Sequence, residues 1–231
     1  MSDILLSLLA AILAITLHEA AHGYAALALG DDTAKLQGRL SLNPLRHVDR
    51  FGTIILPAIL VIGQLITLGR VAFMFGWAKP VPVAAWRFRN PRQGMALVAI
   101  AGPLSNFFLA WLTGLTLHAE SYLPDFWAGE LDDFAVYFIM TNLVLGLFNL
   151  LPIPPLDGGR IMVGILPEKL ALAWARLERG GILIVLLVVF LLPQAARELA
   201  HVRFDPVGDA LNRIIPWAVH IVLIASGHGD V

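Results

Sequence analysis

Residues 4–29 read ILLSLLAAILAITLHEAAHGYAALAL, a run of apolar side chains broken only near its C-terminal end. A stretch of that length has one stable fate in lipid. About 20 apolar residues in a helix cross the hydrocarbon core, and a helix pairs its own backbone groups where no water is available to do so. The run is not a signal peptide: no Lys or Arg precedes it, and it continues past any plausible cleavage point. Further apolar segments follow at 51–75, 95–117, 134–151 and 180–192, with a weaker one at 214–225. The chain is 58% hydrophobic and 14% charged, against about 25% charged for a soluble domain. The expectation is an all-α polytopic membrane protein, a transmembrane helix bundle forming one domain over residues 1–231. Its motif-bearing core covers about 4–166, and C-terminal membrane segments follow at about 180–226. The connectors are too short to hold a soluble domain of ordinary size.

Charge placement gives an orientation. Residues 118–133 carry Glu120, Asp125, Glu130, Asp132 and Asp133 with no Lys or Arg, whereas 79–92 and 160–179 are basic. By the positive-inside rule the basic stretches face the cytoplasm and 118–133 lies outside. Residues 30–50 are basic as well, with Lys35, Arg39, Arg46 and Arg50, so the apolar stretch 51–75 has cytoplasmic flanks on both sides. Its Pro57, Gly63 and Gly69 suit a re-entrant or broken hairpin. A net charge of −1 argues against nucleic acid as a partner, and the absence of cysteine leaves any metal to His, Asp and Glu.

The break in the first apolar run is HEAAH, residues 18–22. On a helix, His18 and His22 share a face and can aim one imidazole nitrogen each at a single cation, with Glu19 one position round. Each ionisable group at the bilayer centre costs roughly 2.5–3.5 kcal/mol on insertion scales, so three at metal-ligand spacing imply a compensating role rather than chance. A catalytic zinc takes three protein ligands and leaves a position open, which calls for a third donor elsewhere. The candidate is Asp157 in FNLLPIPPLDGGR, residues 148–160. There three prolines stop an apolar span, and Gly158 and Gly159 permit conformations closed to other residues. An N-cap on the helix that follows is the alternative role for Asp157, and both can hold together. If the first helix enters from outside, His18 and His22 lie in its cytoplasmic half, at the depth where Asp157 emerges. Glu19 is then placed to take a proton from water and pass it to the leaving amine.

HEAAH in a transmembrane helix, AGPLSN at 101–106 and NLLPIPPLDGG at 149–159 together resemble the site-2 protease family of intramembrane zinc metalloproteases. GWAKPVPV at 76–83 resembles the membrane-embedded loop of its compact bacterial members, so the likeness spans roughly residues 10–165. The resemblance implies one Zn²⁺ held by His18, His22 and Asp157, with Glu19 as general base and Asn149 holding substrate or stabilising the oxyanion. It also implies an integral, multi-pass protein of a prokaryotic cytoplasmic membrane that cuts transmembrane segments of other proteins, its active site toward the cytoplasm. Asn106 carries over as an active-site residue, or serves as a hydrogen-bonding residue between helices. Pro80 and Pro82 forbid helix and suit an edge strand onto which extended substrate can add. Many relatives carry a PDZ domain, and neither 118–133 nor the tail after 193 has room for one.

Two other functions compete. A metal transporter would need ionisable groups at several depths, whereas here they gather at one. A silent relative would show damage in the motifs, and they are intact. His47, His118, His201, His220 and His228 lack ligand spacing and read as interfacial or surface residues. Trp77, Trp86, Trp111, Trp127, Trp174 and Trp217 read as interfacial anchors. Asn43 and Asp49 have no assignment.

Overall fold

A computed structural model describes residues 2–71 and 73–229 of the chain; Met1, Ala72, Asp230 and Val231, which fall within the expected domain, lie outside the described residues. Among the described residues there are ten α-helices: α1 (Ser2–Ala28), α2 (Thr33–Leu36), α3 (Leu56–Leu68), α4 (Pro91–Thr116), α5 (Asp125–Asn149), α6 (Asp157–Ile165), α7 (Glu168–Arg176), α8 (Gly181–Val185), α9 (Leu192–Leu199) and α10 (Pro206–Ala225). There is no strand among the described residues. Among the described residues six helical stretches are long and apolar enough to cross a membrane: Asp3–Ala28, Arg50–Leu68, Pro91–Tyr122, Trp127–Asn149, Glu168–Leu199 and Pro206–Ala225. Ile4, Leu8, Ile59, Ile66 and Leu183 are exposed, an arrangement that suits lipid rather than water. The all-α polytopic membrane fold is the one the hydropathy implies.

Helix α4 lies at the centre, packed against α1, α5 and α6, with α10 against α4 and α5. Small residues let the backbones approach. Ala10 and Ala14 of α1 are fully buried against Phe138 of α5, and Ala110 of α4 is buried with Leu143 and Val222. Two asparagines, Asn106 on α4 and Asn142 on α5, are likewise fully buried in this apolar contact.

The segment 51–75 does turn back. A π-helical turn, Arg50–Ile55, leads into α3, which ends at Gly69 in the left-handed conformation. The chain then returns in extended form. Gln64 holds the backbone of Phe73 through both its amide atoms, the Trp77 N–H reaches the Gly52 carbonyl at 3.1 Å, and the Lys79 N–H reaches that of His47 at 2.8 Å. Both flanks of the hairpin therefore meet at one end.

The returning segment continues to the end of α1, where Asp31 fixes it. One carboxylate oxygen accepts from the Thr33 N–H and hydroxyl, and the other from the Ala84 N–H at 2.6 Å. Burial alone pushes the Asp31 carboxyl up. The Thr33 hydroxyl, the Ala84 and Thr33 N–H groups and the Arg87 charge outweigh it and hold the group below the usual carboxylate range. Arg87 also pairs with Asp32.

His47 departs from the surface role expected of it. It is 3% exposed within a loop that is otherwise largely exposed, with Nε2 on the Ser41 carbonyl and its own carbonyl accepting from the Lys79 N–H of the returning segment. His118 and His228 stack at 4.2 Å across the ends of α4 and α10 rather than standing apart. Asp49 accepts from the Phe51 and Gly52 N–H groups and Asn43 from that of Leu45, so both cap turns of this loop.

Candidate metal centre

Two elements bring His18, His22 and Asp157 together. The two histidines lie one turn apart on α1, and their Nε2 atoms are 3.1 Å from each other. Asp157 opens α6, and its Oδ2 lies 3.2 Å from His18 Nε2 and 3.3 Å from His22 Nε2. The side chains are 6%, 12% and 8% exposed in that order, so water does not separate them. Asp157 Oδ2 is buried and has no hydrogen-bond partner of its own among the described residues.

These distances test the fit of a metal. Zinc sits about 2.0–2.2 Å from nitrogen and oxygen ligands, so two ligands on a tetrahedron are about 3.3–3.5 Å apart. The observed triangle has nearly those edges. Three lone-pair-bearing atoms packed this closely away from water repel unless a cation lies among them. The donor set and its spacing thus fit zinc, with one tetrahedral position facing away from the three.

Each imidazole is turned by its other nitrogen. His18 Nδ1 lies 2.6 Å from Asn106 Oδ1, and His22 Nδ1 lies 2.8 Å from the Val98 carbonyl. A carbonyl only accepts, so both Nδ1 atoms carry a proton, and both Nε2 atoms are turned inward where metal ligation needs them. Val98, Gly102 and Asn106 all belong to α4. Asn106 therefore bridges helices and also orients His18, which joins the two roles open to it in the sequence.

Asp157 does not cap its helix. The N-cap position of α6 is Leu156, and no side chain there bonds the first turn. The carboxylate instead occupies the first turn, where the helix dipole favours negative charge. The two glycines after it serve a different purpose from the one expected. Neither has positive φ. A Cβ on Gly158 would lie 2.2 Å from the Leu150 carbonyl oxygen, and one on Gly159 2.6 Å from Pro154 N, so both allow α6 to press on the proline turn. Arg92 of α4 closes the far end of α6, donating to the Val163 carbonyl at 2.9 Å and to that of Leu166.

Glu19, half-buried, has a carboxylate oxygen within 4.8 Å of ligand nitrogens of both histidines. Its Oε2 accepts from the Val81 N–H at 3.2 Å. A cavity of about 350 Å³ opens here, lined by Glu19, Trp77, Val81, Phe148, Asn149 and Asp157 among others. Trp77 thus walls the cavity, beyond the interfacial role expected of it. Asn149 sends one Nδ2 proton to the Leu145 carbonyl at 3.0 Å, and it lines the same cavity. Asn142 and Arg92 are the supports that sequence reasoning missed as parts of the site. Asn142 had no local signal at all, and Arg92 read only as a topogenic charge.

Comparison with known proteins finds zinc metalloproteases. The model of Peptidase family M50 matches residues 115–192. YwhC of Bacillus subtilis (strain 168), provisionally named a zinc metalloprotease, is 46% identical over 187 residues, 79% of this chain and 78% of YwhC. Rip2 of Mycolicibacterium smegmatis, named in the same provisional way, is 33% identical over 203 residues, 84% of this chain and 71% of Rip2. Zinc metalloprotease MJ0392 of Methanocaldococcus jannaschii is 34% identical over 92 residues, 39% of this chain and 25% of MJ0392. No solved structure matches significantly.

Proposed function

The chain belongs to Peptidase family M50, the site-2 protease family of membrane zinc metalloproteases, and on that premise we propose that it cuts peptide bonds in or near transmembrane segments of other proteins. In this proposal His18, His22 and Asp157 hold one Zn²⁺ and Glu19 is the general base. The whole described chain, within residues 1–231, acts as one intramembrane metalloprotease domain. Its basic connectors put the metal end toward the cytoplasm of a prokaryotic cell. The observation that carries the proposal is the triangle of 3.1, 3.2 and 3.3 Å among three buried donor atoms.

Bound zinc supplies Lewis acidity and lowers the pKa of a coordinated water to about 7. The chain's own residues do the rest. Glu19 accepts the proton of the attacking water and returns it to the leaving amine. Asn149, with one Nδ2 proton on Leu145, offers the other to a substrate carbonyl in the cavity. Replacing Asp157 with Ala removes one of three ligands. The purified variant is expected to lose stoichiometric zinc and, with it, cleavage of a model membrane substrate. Full zinc occupancy in that variant would mean that another donor closes the site.

Substrate must unwind to expose its bond, and the returning segment 76–83 is placed to receive it in extended form. Its backbone donors are few. The N–H groups of Trp77, Lys79 and Val81 are taken by Gly52, His47 and Glu19, and Pro80 and Pro82 have none. Its carbonyls at Trp77, Lys79 and Pro80 are engaged as well, by the Thr53 hydroxyl and by Arg39, so a substrate backbone would pair mainly with the remaining groups of Gly76, Ala78 and Val83. Asp31→Ala, which frees Ala84 at the base of the segment, is expected to slow cleavage several-fold at unchanged zinc content. Cleavage at the wild-type rate would remove this segment from substrate handling.

A further inference from the structure

Three amide and imidazole groups form a line across the bundle. His18 Nδ1 is 2.6 Å from Asn106 Oδ1, Asn106 Nδ2 donates to Asn142 Oδ1 at 2.8 Å, and Asn142 Nδ2 donates to the Phe138 carbonyl at 2.8 Å. Both asparagines are fully buried, so no water is at hand to repair a mismatched pair. We infer that Asn142 is a positioning residue: by fixing the direction of this relay from Phe138, it sets the tautomer in which His18 presents Nε2 to zinc. The inference rests on the proposed role of His18 as a ligand.

Direction follows from the far end. An asparagine amide can be turned either way, and so can its neighbour, but a backbone carbonyl only accepts. Phe138 therefore requires the NH₂ of Asn142. That leaves Asn142 Oδ1 toward Asn106, which must answer with its own NH₂ and so turns Oδ1 to His18. Facing an oxygen, His18 must carry its proton on Nδ1, and the Nε2 lone pair is free for metal. The reversed relay would set two oxygens against each other at Phe138 and leave His18 protonated on Nε2, which cannot then ligate. His22 needs no relay, because its Nδ1 meets the Val98 carbonyl directly. Asn142 touches no ligand atom, and acts only through Asn106.

The full chain in detergent tests this with two readouts. In zinc-free protein labelled with ¹⁵N-histidine, His18 Nδ1 is expected to carry a proton, whether or not Nε2 also takes one beside Asp157. A dominant form with Nδ1 unprotonated in the wild type overturns the inference, and this measurement requires no variant to fold. Zinc dissociation constants from chelator competition give the second readout. Asn142→Leu is expected to weaken zinc about tenfold or more, as loss of an outer partner typically does. Asn106→Asp offers His18 only acceptor oxygens, so in that background Asn142→Leu is expected to change zinc affinity less than threefold. An equal loss in both backgrounds would make Asn142 a packing residue and overturn the inference. Unchanged zinc affinity in His18→Ala would instead remove the ligand assignment beneath it.

Discussion

Glu19→Gln is expected to keep its zinc and lose turnover, with cleavage of a membrane substrate falling by about 10²–10⁴-fold, the usual worth of a positioned general base. The substitution is nearly isosteric. A glutamine oxygen still accepts the Val81 N–H that Glu19 Oε2 now holds at 3.2 Å, so the returning segment keeps its register. None of the three donor atoms of the metal triangle belongs to Glu19, so occupancy is expected to stay near one zinc per chain. What disappears is the basic oxygen beside the histidines, since an amide does not take up a proton near neutral pH. Metal analysis and single-turnover cleavage on the same preparation separate the two effects. Wild-type turnover would place the base on another residue. Loss of zinc together with activity would show Glu19 to be structural.

The parts of this site that could be read from sequence are those written over short distances. HEAAH is legible because four residues on a helix bring two rings to one face whatever surrounds them. Asp157 was reachable because a proline stop and a charge mark a boundary, and charge placement put that boundary at the depth of the histidines. The hairpin over 51–75 was reachable in the same way, from basic flanks on both sides.

What was not legible depends on pairing between distant helices. Asn142 lies 36 residues from Asn106, and nothing adjacent to it in sequence marks it out. Arg92 reaches the end of α6 across 71 residues to Val163. His47 reads as a surface residue in sequence, yet its ring is buried on the Ser41 carbonyl and its backbone pairs with Lys79, 32 residues away. Gly158 and Gly159 were singled out for their backbone freedom, yet the structure uses their lack of a side chain. In a chain where most positions are apolar, hydropathy locates helices well. It says little about which face of each meets which neighbour, and small residues at contacts carry that information instead.

Gly102 shows how far such a small residue can control the chemistry, and Gly102→Ala is expected to strike the metal triangle directly. A Cβ built there lies 2.5 Å from Cε1 of both His18 and His22, and 2.6 Å from His22 Nε2. Carbon atoms in contact prefer about 3.5–4.0 Å, so the rings would have to retreat by roughly 1 Å. They are poorly able to do so, because each ring is tied by Nδ1 to α4 itself, at Asn106 and at Val98. Moving α4 away as a body drags both anchors with it. Any movement that relieves the clash therefore opens the triangle. Overpacking of this kind costs about 1–3 kcal/mol of stability, and here it falls on the atoms that hold the metal. Zinc affinity is expected to drop at least about tenfold, a loss typical of disturbing the groups that orient metal ligands, and cleavage to drop with it. Gly63→Ala provides the control, since Gly63 is also helical and a Cβ there meets nothing within 4 Å. Chelator competition on both variants decides the matter. Equal, wild-type zinc affinity in the two would mean that the histidines do not need the space Gly102 leaves, and that the metal is held somewhere other than among His18, His22 and Asp157.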